Sequence, residues 1–395
     1  MTSNWRMADV KSALAADLDG GNIAPAFGQY TTGFQRFSID GKAMMRQLHK
    51  KVGAFFVVGV ILCGPAVAAE PSYDKYKSWL VVCDNGLKCE AKGFENGTIN
   101  NPDLRFVRAA GPDAATEVTL SVPFPVGLGG FLADGKPLRL GPSWTRSQDE
   151  DLTTISTKDP AAVKEFLSEL RNDAKIDVGD DKAIIPLDGM VAALLHMDDR
   201  QGRIGGVTAL IKAGAAPASK VPAPPALPVI NRRKIDIILS DAEKQRLITQ
   251  AMSAGKALFD SEGCEADAAN GGLNADAYPL DMDHALVLIP CIMGAYQGSS
   301  LVFLQPLKGN GVPIPFQPRL PLGEGEGATT LFVEPGFDTD TGSLQMSGRG
   351  RGVADCGLSA QWVWDDAEFK LAEAYFQGSC GGSQPVDWPT LFRSR

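Results

Sequence analysis

Residues 79–93 read WLVVCDNGLKCEAKG, and this stretch decides the class of fold. Trp79, Leu80, Val81 and Val82 form an apolar run rich in β-formers, and Cys83 and Cys89 flank Asp84-Asn85-Gly86. Asn-Gly between such runs is a strong hairpin signal, because both residues tolerate the positive φ that a tight turn needs. Strands are expected over 79–82 and 88–93, with the two cysteines facing each other as a disulfide across the turn.

The same pattern of short β-rich runs continues on both sides of a few helices. Strands are expected over 104–109 and 117–122, followed by a helix with Asp159 as N-cap and Pro160 in its first turn. Val163, Phe166, Leu167 and Leu170 form its apolar stripe. A second helix begins near Asp188 and carries Met190, Val191, Leu194 and Leu195; a strand over 204–211 follows. Residues 215–234 are rich in proline and alanine and read as a linker. Beyond them, Ser240 and Glu243 make a capping box ahead of a helix of about fifteen residues. Further strands are expected over 285–290, 300–305, 329–333, 344–348 and 361–364, the last turning at Asp365-Asp366 and returning through 368–372. The expected class is α+β and β-rich: two disulfide-stabilised domains with antiparallel sheets and a few helices, an N-terminal α+β unit over 70–214 and a C-terminal β-rich unit over 235–395.

Residues 44–69, MMRQLHKKVGAFFVVGVILCGPAVAA, have the anatomy of a secretory leader. Arg46, His49, Lys50 and Lys51 precede an apolar segment too short to span a bilayer, Gly64-Pro65 end it, and small residues offer cleavage after Ala68 or Ala69. Translation is then expected to start at Met44 or Met45, with residues 1–43 a spurious or disordered upstream extension; an internal signal-anchor is the other reading. Cys63 leaves with the leader, and Leu62 stands where a lipoprotein site wants a small residue. The mature protein is expected in the periplasm. The full chain has 47 acidic against 38 basic residues and a net charge of −9, so the protein is expected to bind no nucleic acid and, after cleavage, no membrane.

Six cysteines follow the leader, an even number in an exported chain, and read as three disulfides out of fifteen possible pairings. Cys83–Cys89 and Cys356–Cys380 each bracket a hairpin, and Cys264–Cys291 follows by elimination. Zinc is the competing use, but the chain has no C-x-x-C and two histidines beyond the leader.

Several of these residues resemble a known family. Tyr76-Lys77-Ser78-Trp79 with Cys83-Asp84-Asn85 and Cys89, the run 289–296 through Pro290-Cys291, and the tail through Gly348-Arg349-Gly350, Asp355-Cys356-Gly357, Trp362-Val363-Trp364, Cys380 and Trp388-Pro389 resemble the domain of unknown function 1176 family. Ile292 and Gly381 depart from it, standing where a tryptophan and a basic residue are expected. The Trp79/Cys83 opening and Leu187-Asp188-Gly189-Met190 are also similar to the invasion-associated locus B family. The resemblance implies an exported Gram-negative envelope protein and carries over no catalytic residue.

The candidate sites are few. Asp281, Asp283 and His284 could move protons or hold a metal, as in a hydrolase or metal-dependent enzyme. Asp338 and Asp340 alternate as in a calcium loop, but Gly342 and Arg349 replace its later ligands. Residues 130–136 have phosphate-loop spacing, yet Pro137 removes the next amide and the stretch reads as a turn. His196 is expected at a helix end, complementing the dipole. Trp362 and Trp364 share a strand face and, with Trp388, could form an aromatic binding face beside Arg349 and Arg351. No catalytic constellation and no cofactor motif emerges, so the expectation is a non-catalytic protein binding an envelope protein or polymer; nothing fixes an oligomeric state.

Overall fold

Strand β2 (Trp79–Cys83) is buried along its whole length and is shared by two cores. Trp79, Val81 and Cys83 point to one face and join the first core, while Leu80 and Val82 point to the other and join the second. A strand covered on both faces needs a continuous apolar run, which is what this segment supplies. The computed structural model in which this is seen describes residues 68–170, 174–179, 183–265, 274–322, 328–382 and 387–395. Residues 1–43 and the expected leader up to 67 lie outside the described residues.

The first sheet is antiparallel, in the order β1 (Ser72–Tyr76), β2, β3 (Cys89–Phe94), β4 (Asp103–Arg108), β5 (Thr116–Val122), β9 (Leu152–Thr157), β8 (Thr145–Asp149). A smaller sheet runs β11 (Ala183–Pro186), β10 (Lys175–Val178), β6 (Phe131–Ala133), β7 (Lys136–Pro137). Helices α1 (Pro160–Leu170) and α2 (Met190–Arg200) close the first core, packing Phe166, Leu170, Leu194 and Met197 with Trp79, Phe106 and Leu120. Asp159 caps α1, its Oδ1 accepting from the Ala162 amide at 2.8 Å. Gly189 opens α2 at φ 101°, where an added Cβ would sit 1.8 Å from the Tyr76 carbonyl oxygen, so only glycine fits.

Two further antiparallel sheets form from the later residues. One contains β12 (Asp276–Pro279), β13 (His284–Met293), β14 (Gly298–Pro306) and β15 (Ile314–Pro315), with β16 (Phe332–Val333) also paired to β14. The other runs β17 (Gly336–Asp338), β18 (Ser343–Arg349), β19 (Gly357–Asp365), β20 (Glu368–Gln377), β21 (Thr390–Arg393). Helix α3 (Asp241–Ala254) starts from the expected Ser240/Glu243 capping box, and α4 (Lys256–Glu262) follows it. Leu247, Ile248 and Ala251 of α3 pack on Val287, Ile289, Leu301 and Phe303 as a third core. The class is α+β, rich in antiparallel sheet. Among the described residues no helix is long and apolar enough to cross a membrane.

The second core joins the early and late sheets. Leu80, Val82 and Phe94 pack with Leu286, Val302, Phe332, Trp362 and Leu391. Each large apolar side chain buried there contributes roughly 1.5–3 kcal/mol. Charged groups are buried at the same seam. Lys92 is fully buried, its Nζ donating to Gln377 at 3.0 Å, and Arg105 donates to Asp387.

The 83–89 hairpin forms, but not as a two-residue Asn-Gly turn. Asp84 organises a longer loop: its backbone bonds to Lys88, its Oδ1 accepts from the amides of Gly86 and Lys88 at 2.8 Å, and the positive φ falls on Leu87 at 56°. The tip is then gripped by β21, with Asn85 exchanging hydrogen bonds with the Arg393 backbone and Arg393 pairing with the Asp84 carboxylate. Gly86 is required by that close approach, since a Cβ would lie 2.7 Å from the Arg393 guanidinium and 2.9 Å from Leu227.

Three disulfides form, Cys83–Cys89, Cys264–Cys291 and Cys356–Cys380. Two expected strands differ. Residues 204–211 are turns, because Gly205 adopts φ 75° and the buried Asp198 carboxylate takes the amides of Leu210 and Ile211 that a neighbouring strand would otherwise use. Of residues 329–333, only Phe332–Val333 pair. Residues 215–234 hold a 3-10 turn at Ala218–Lys220 and an isolated bridge at Ala216.

Candidate functional site

The Asp281, Asp283 and His284 cluster lies where the chain enters β13. Asp281 Oδ1 accepts from the amides of Asp283 and His284 at 2.8 Å, and His284 Nδ1 lies 2.9 Å from both carboxylate oxygens. Oδ2 accepts from the Trp364 indole N–H at 3.0 Å. Burial opposes the charge on Asp281, but these donors together outweigh it and hold the carboxyl below its usual value. Asp283 is exposed and joins the turn through its backbone amide. The arrangement is a turn that seats His284 and Trp364, and among the described residues no nucleophilic hydroxyl bonds His284.

Asp338 and Asp340 sit in the hairpin between β17 and β18. Asp338 accepts from the Asp340 amide at 2.9 Å and from the Thr341 hydroxyl at 2.6 Å, while Asp340 lies 3.9 Å from Lys234. The hydroxyl, then the amide, lower the Asp338 pKa. Its oxygens already serve the turn. Gly135 and Asp134 likewise make a plain two-residue turn between β6 and β7, both at positive φ.

The expected aromatic face is interior. Trp362 and Trp364 are 1% and 8% exposed, because β19 lies in the middle of its sheet and faces the second core, and Trp388 is 7% exposed, its ring against Gly357 and its indole N–H donating to the Ala354 carbonyl at 3.2 Å. Arg349 donates to the Tyr296 carbonyl, and Arg351 pairs with Asp355 while reaching the Gly97 carbonyl at 2.9 Å. Both arginines therefore tie loops together. One group with metal-ligand spacing occurs among the described residues, Asp355, Cys356 and Cys380, but its two sulfurs are joined in a disulfide and Asp355 is held by Arg351.

His196 is not at a helix end. It sits within α2 against the edge strand β1, its Nδ1 3.0 Å from the Tyr76 hydroxyl and its Nε2 3.4 Å from Ser72 Oγ and 3.5 Å from Asp74. Burial lowers its pKa, so the neutral ring is favoured and the dipole reading does not hold. Ser72 and Asp74 meet the same ring nitrogen, which is not the relay in which acid and nucleophile take opposite nitrogens. Alternation of Ser72, Asp74 and Tyr76 along a strand was visible in the sequence; their partner more than a hundred positions away was not.

A ligand-sized space lies elsewhere among the described residues, in an open groove of about 450 Å³. Pro228, Val229 and Ile230 form one wall, Arg319, Leu320 and Pro321 another, and Lys370, Leu371 and Phe392 of β20 and β21 complete it. Backbone bonds set the first wall, because Ile230 N–H donates to Arg395 O at 2.9 Å and Arg395 N–H to Pro228 O at 2.8 Å. This volume falls in the range of small-molecule sites, and apolar walls with a few charged groups are their usual composition. Four separated segments build it, so no local signal in the chain announced it.

A protein-family model, described as a protein of unknown function (DUF1176), matches residues 73–395. The chain belongs to the DUF1176 family. A relative of this DUF1176 chain is the uncharacterized protein YpfG of Escherichia coli (strain K12), 30% identical over 347 residues that cover 83% of this chain and 95% of the relative. No solved structure matches.

Proposed function

We propose that this DUF1176 protein is an exported periplasmic binding protein, without catalysis of its own, that takes an apolar small-molecule component of the cell envelope into the groove between Pro228–Ile230, Pro321, Leu371 and Phe392. The observation that carries the reading is the groove itself: seven of its nine lining residues are apolar, and Val229 stands 66% exposed at its rim. An apolar wall left open to water gains free energy when a ligand covers it, at about 25 cal/mol per Å². Export is supported by the leader-like residues 44–69 and by three disulfides, which persist in oxidising compartments. The hydrolytic alternative is weakened because Asp281, Asp283 and His284 do not bring their ligand atoms together as a three-residue group and because no nucleophile bonds that ring among the described residues.

The test uses the protein beginning at residue 70 and the neutral fluorophore N-phenyl-1-naphthylamine. Saturable fluorescence enhancement is expected, reduced at least tenfold in affinity by Val229→Asp, whose exposed position leaves folding intact by circular dichroism. Enhancement equal in the two proteins would place the fluorophore elsewhere and defeat the reading.

A further inference from the structure

The charged side chains that line this groove, Arg319 and Lys370 among its nine lining residues, are both cations, on a chain whose net charge is −9. They differ in what they have left to offer. Lys370 Nζ lies 3.2 Å from Asp365, 3.3 Å from Asp366 and 3.9 Å from Glu368, so its charge is already balanced by the β19–β20 turn. Arg319 is exposed and, among the described residues, has neither an ion pair nor a hydrogen bond. A guanidinium presents a planar fork that fits a carboxylate through two parallel N–H donors, and it does so without leaving water.

Resting on the groove reading above, we infer that its ligand is an anionic amphiphile: a single apolar chain ending in a carboxylate, the chain against Leu320, Leu371 and Phe392 and the head on Arg319. A wholly apolar ligand would leave that guanidinium unused, and a cationic head would be repelled by it. Arg319 is thus the specificity-determining side chain, selecting the head group, while the apolar walls hold any chain. An exposed ion pair of this kind is worth a modest factor, about two- to fivefold in affinity.

The experiment displaces N-phenyl-1-naphthylamine with decanoate and with decan-1-ol, each below its aggregation limit, from the wild type, Arg319→Gln and Arg319→Lys. Decanoate is expected to displace at about two- to fivefold lower concentration than decan-1-ol from the wild type. Arg319→Gln is expected to remove that difference without changing the alcohol, and Arg319→Lys to restore part of it. Added salt should weaken decanoate alone. Alcohol and acid displacing equally from the wild type would overturn the anionic inference while leaving the groove in place. The same holds if Arg319→Gln weakens both alike. If neither compound displaces the fluorophore, the groove reading falls and this inference with it.

Discussion

Replacing Leu80 by alanine tests whether β2 couples the early and late sheets. Leu80 is 1% exposed and contributes to the core that Trp362 and Leu391 share, although it belongs to the first sheet. Removing a leucine side chain from such a site costs about 2–5 kcal/mol, out of a total stability of about 5–15 kcal/mol. Hydrogen exchange with mass spectrometry in mild urea reads the opening free energy of each segment. Because β2 is one strand with two buried faces, Leu80→Ala is expected to speed exchange both in β4 and across β19 and β20. The acceleration should be similar in both places, from about thirtyfold to several thousandfold. Met252→Ala, at a half-exposed position of α3, is the control and should change either by less than about 0.5 kcal/mol. If Leu80→Ala accelerates β4 while β19 and β20 keep their full protection, the shared strand does not couple the two sheets and the reasoning fails.

Asn85→Ala removes two hydrogen bonds to the Arg393 backbone and should lower stability by about 1–3 kcal/mol, read from the urea midpoint. His196 titrates below its ordinary value in the fold, so the unfolded chain takes up its proton first. Stability from this residue is complete above about pH 6.5 and is lost as pH falls from there toward the folded-state pKa. His196→Gln should flatten that part of a melting-temperature profile. Replacing Cys264 and Cys291 together by serine, across a separation of 27, should cost about 2–5 kcal/mol, measured by calorimetry. Calcium at millimolar concentration should leave the melting temperature unchanged, because the Asp338 oxygens are spent on Asp340 and Thr341; a rise of several degrees would contradict this.

Much of the fold was legible where the cause is local. Asp159 with Pro160, Ser240 with Glu243 and the alternation around Trp362 each act within a few residues, and each produced the expected element. The 83–89 hairpin was legible as a pairing but not as a loop, because the carboxylate of Asp84 and the distant Arg393 decide its shape. The expected strand at 204–211 was lost to a buried charge, Asp198, which satisfies Arg108 and the Leu210 amide at once. The site was the least legible part. Trp362, Trp364, Arg349 and Arg351 carry conspicuous chemistry, yet packing and loop carbonyls consume it. The groove gathers unremarkable residues such as Pro228, Leu320 and Phe392, whose meaning arises only when the chain brings them together.

The grip of Arg393 on the 84–86 tip sets the order in which the molecule can be finished. Synthesis runs from the amino end, so the first hairpin exists long before the residues that cover it. Until the later sheets arrive, the Leu80 and Val82 side chains stay wetted, and until β21 closes the last of them the Asp84 carboxylate lacks its guanidinium partner. A nascent or prematurely ended chain therefore displays a sticky, half-roofed sheet, the kind of surface that holding chaperones and proteases recognise.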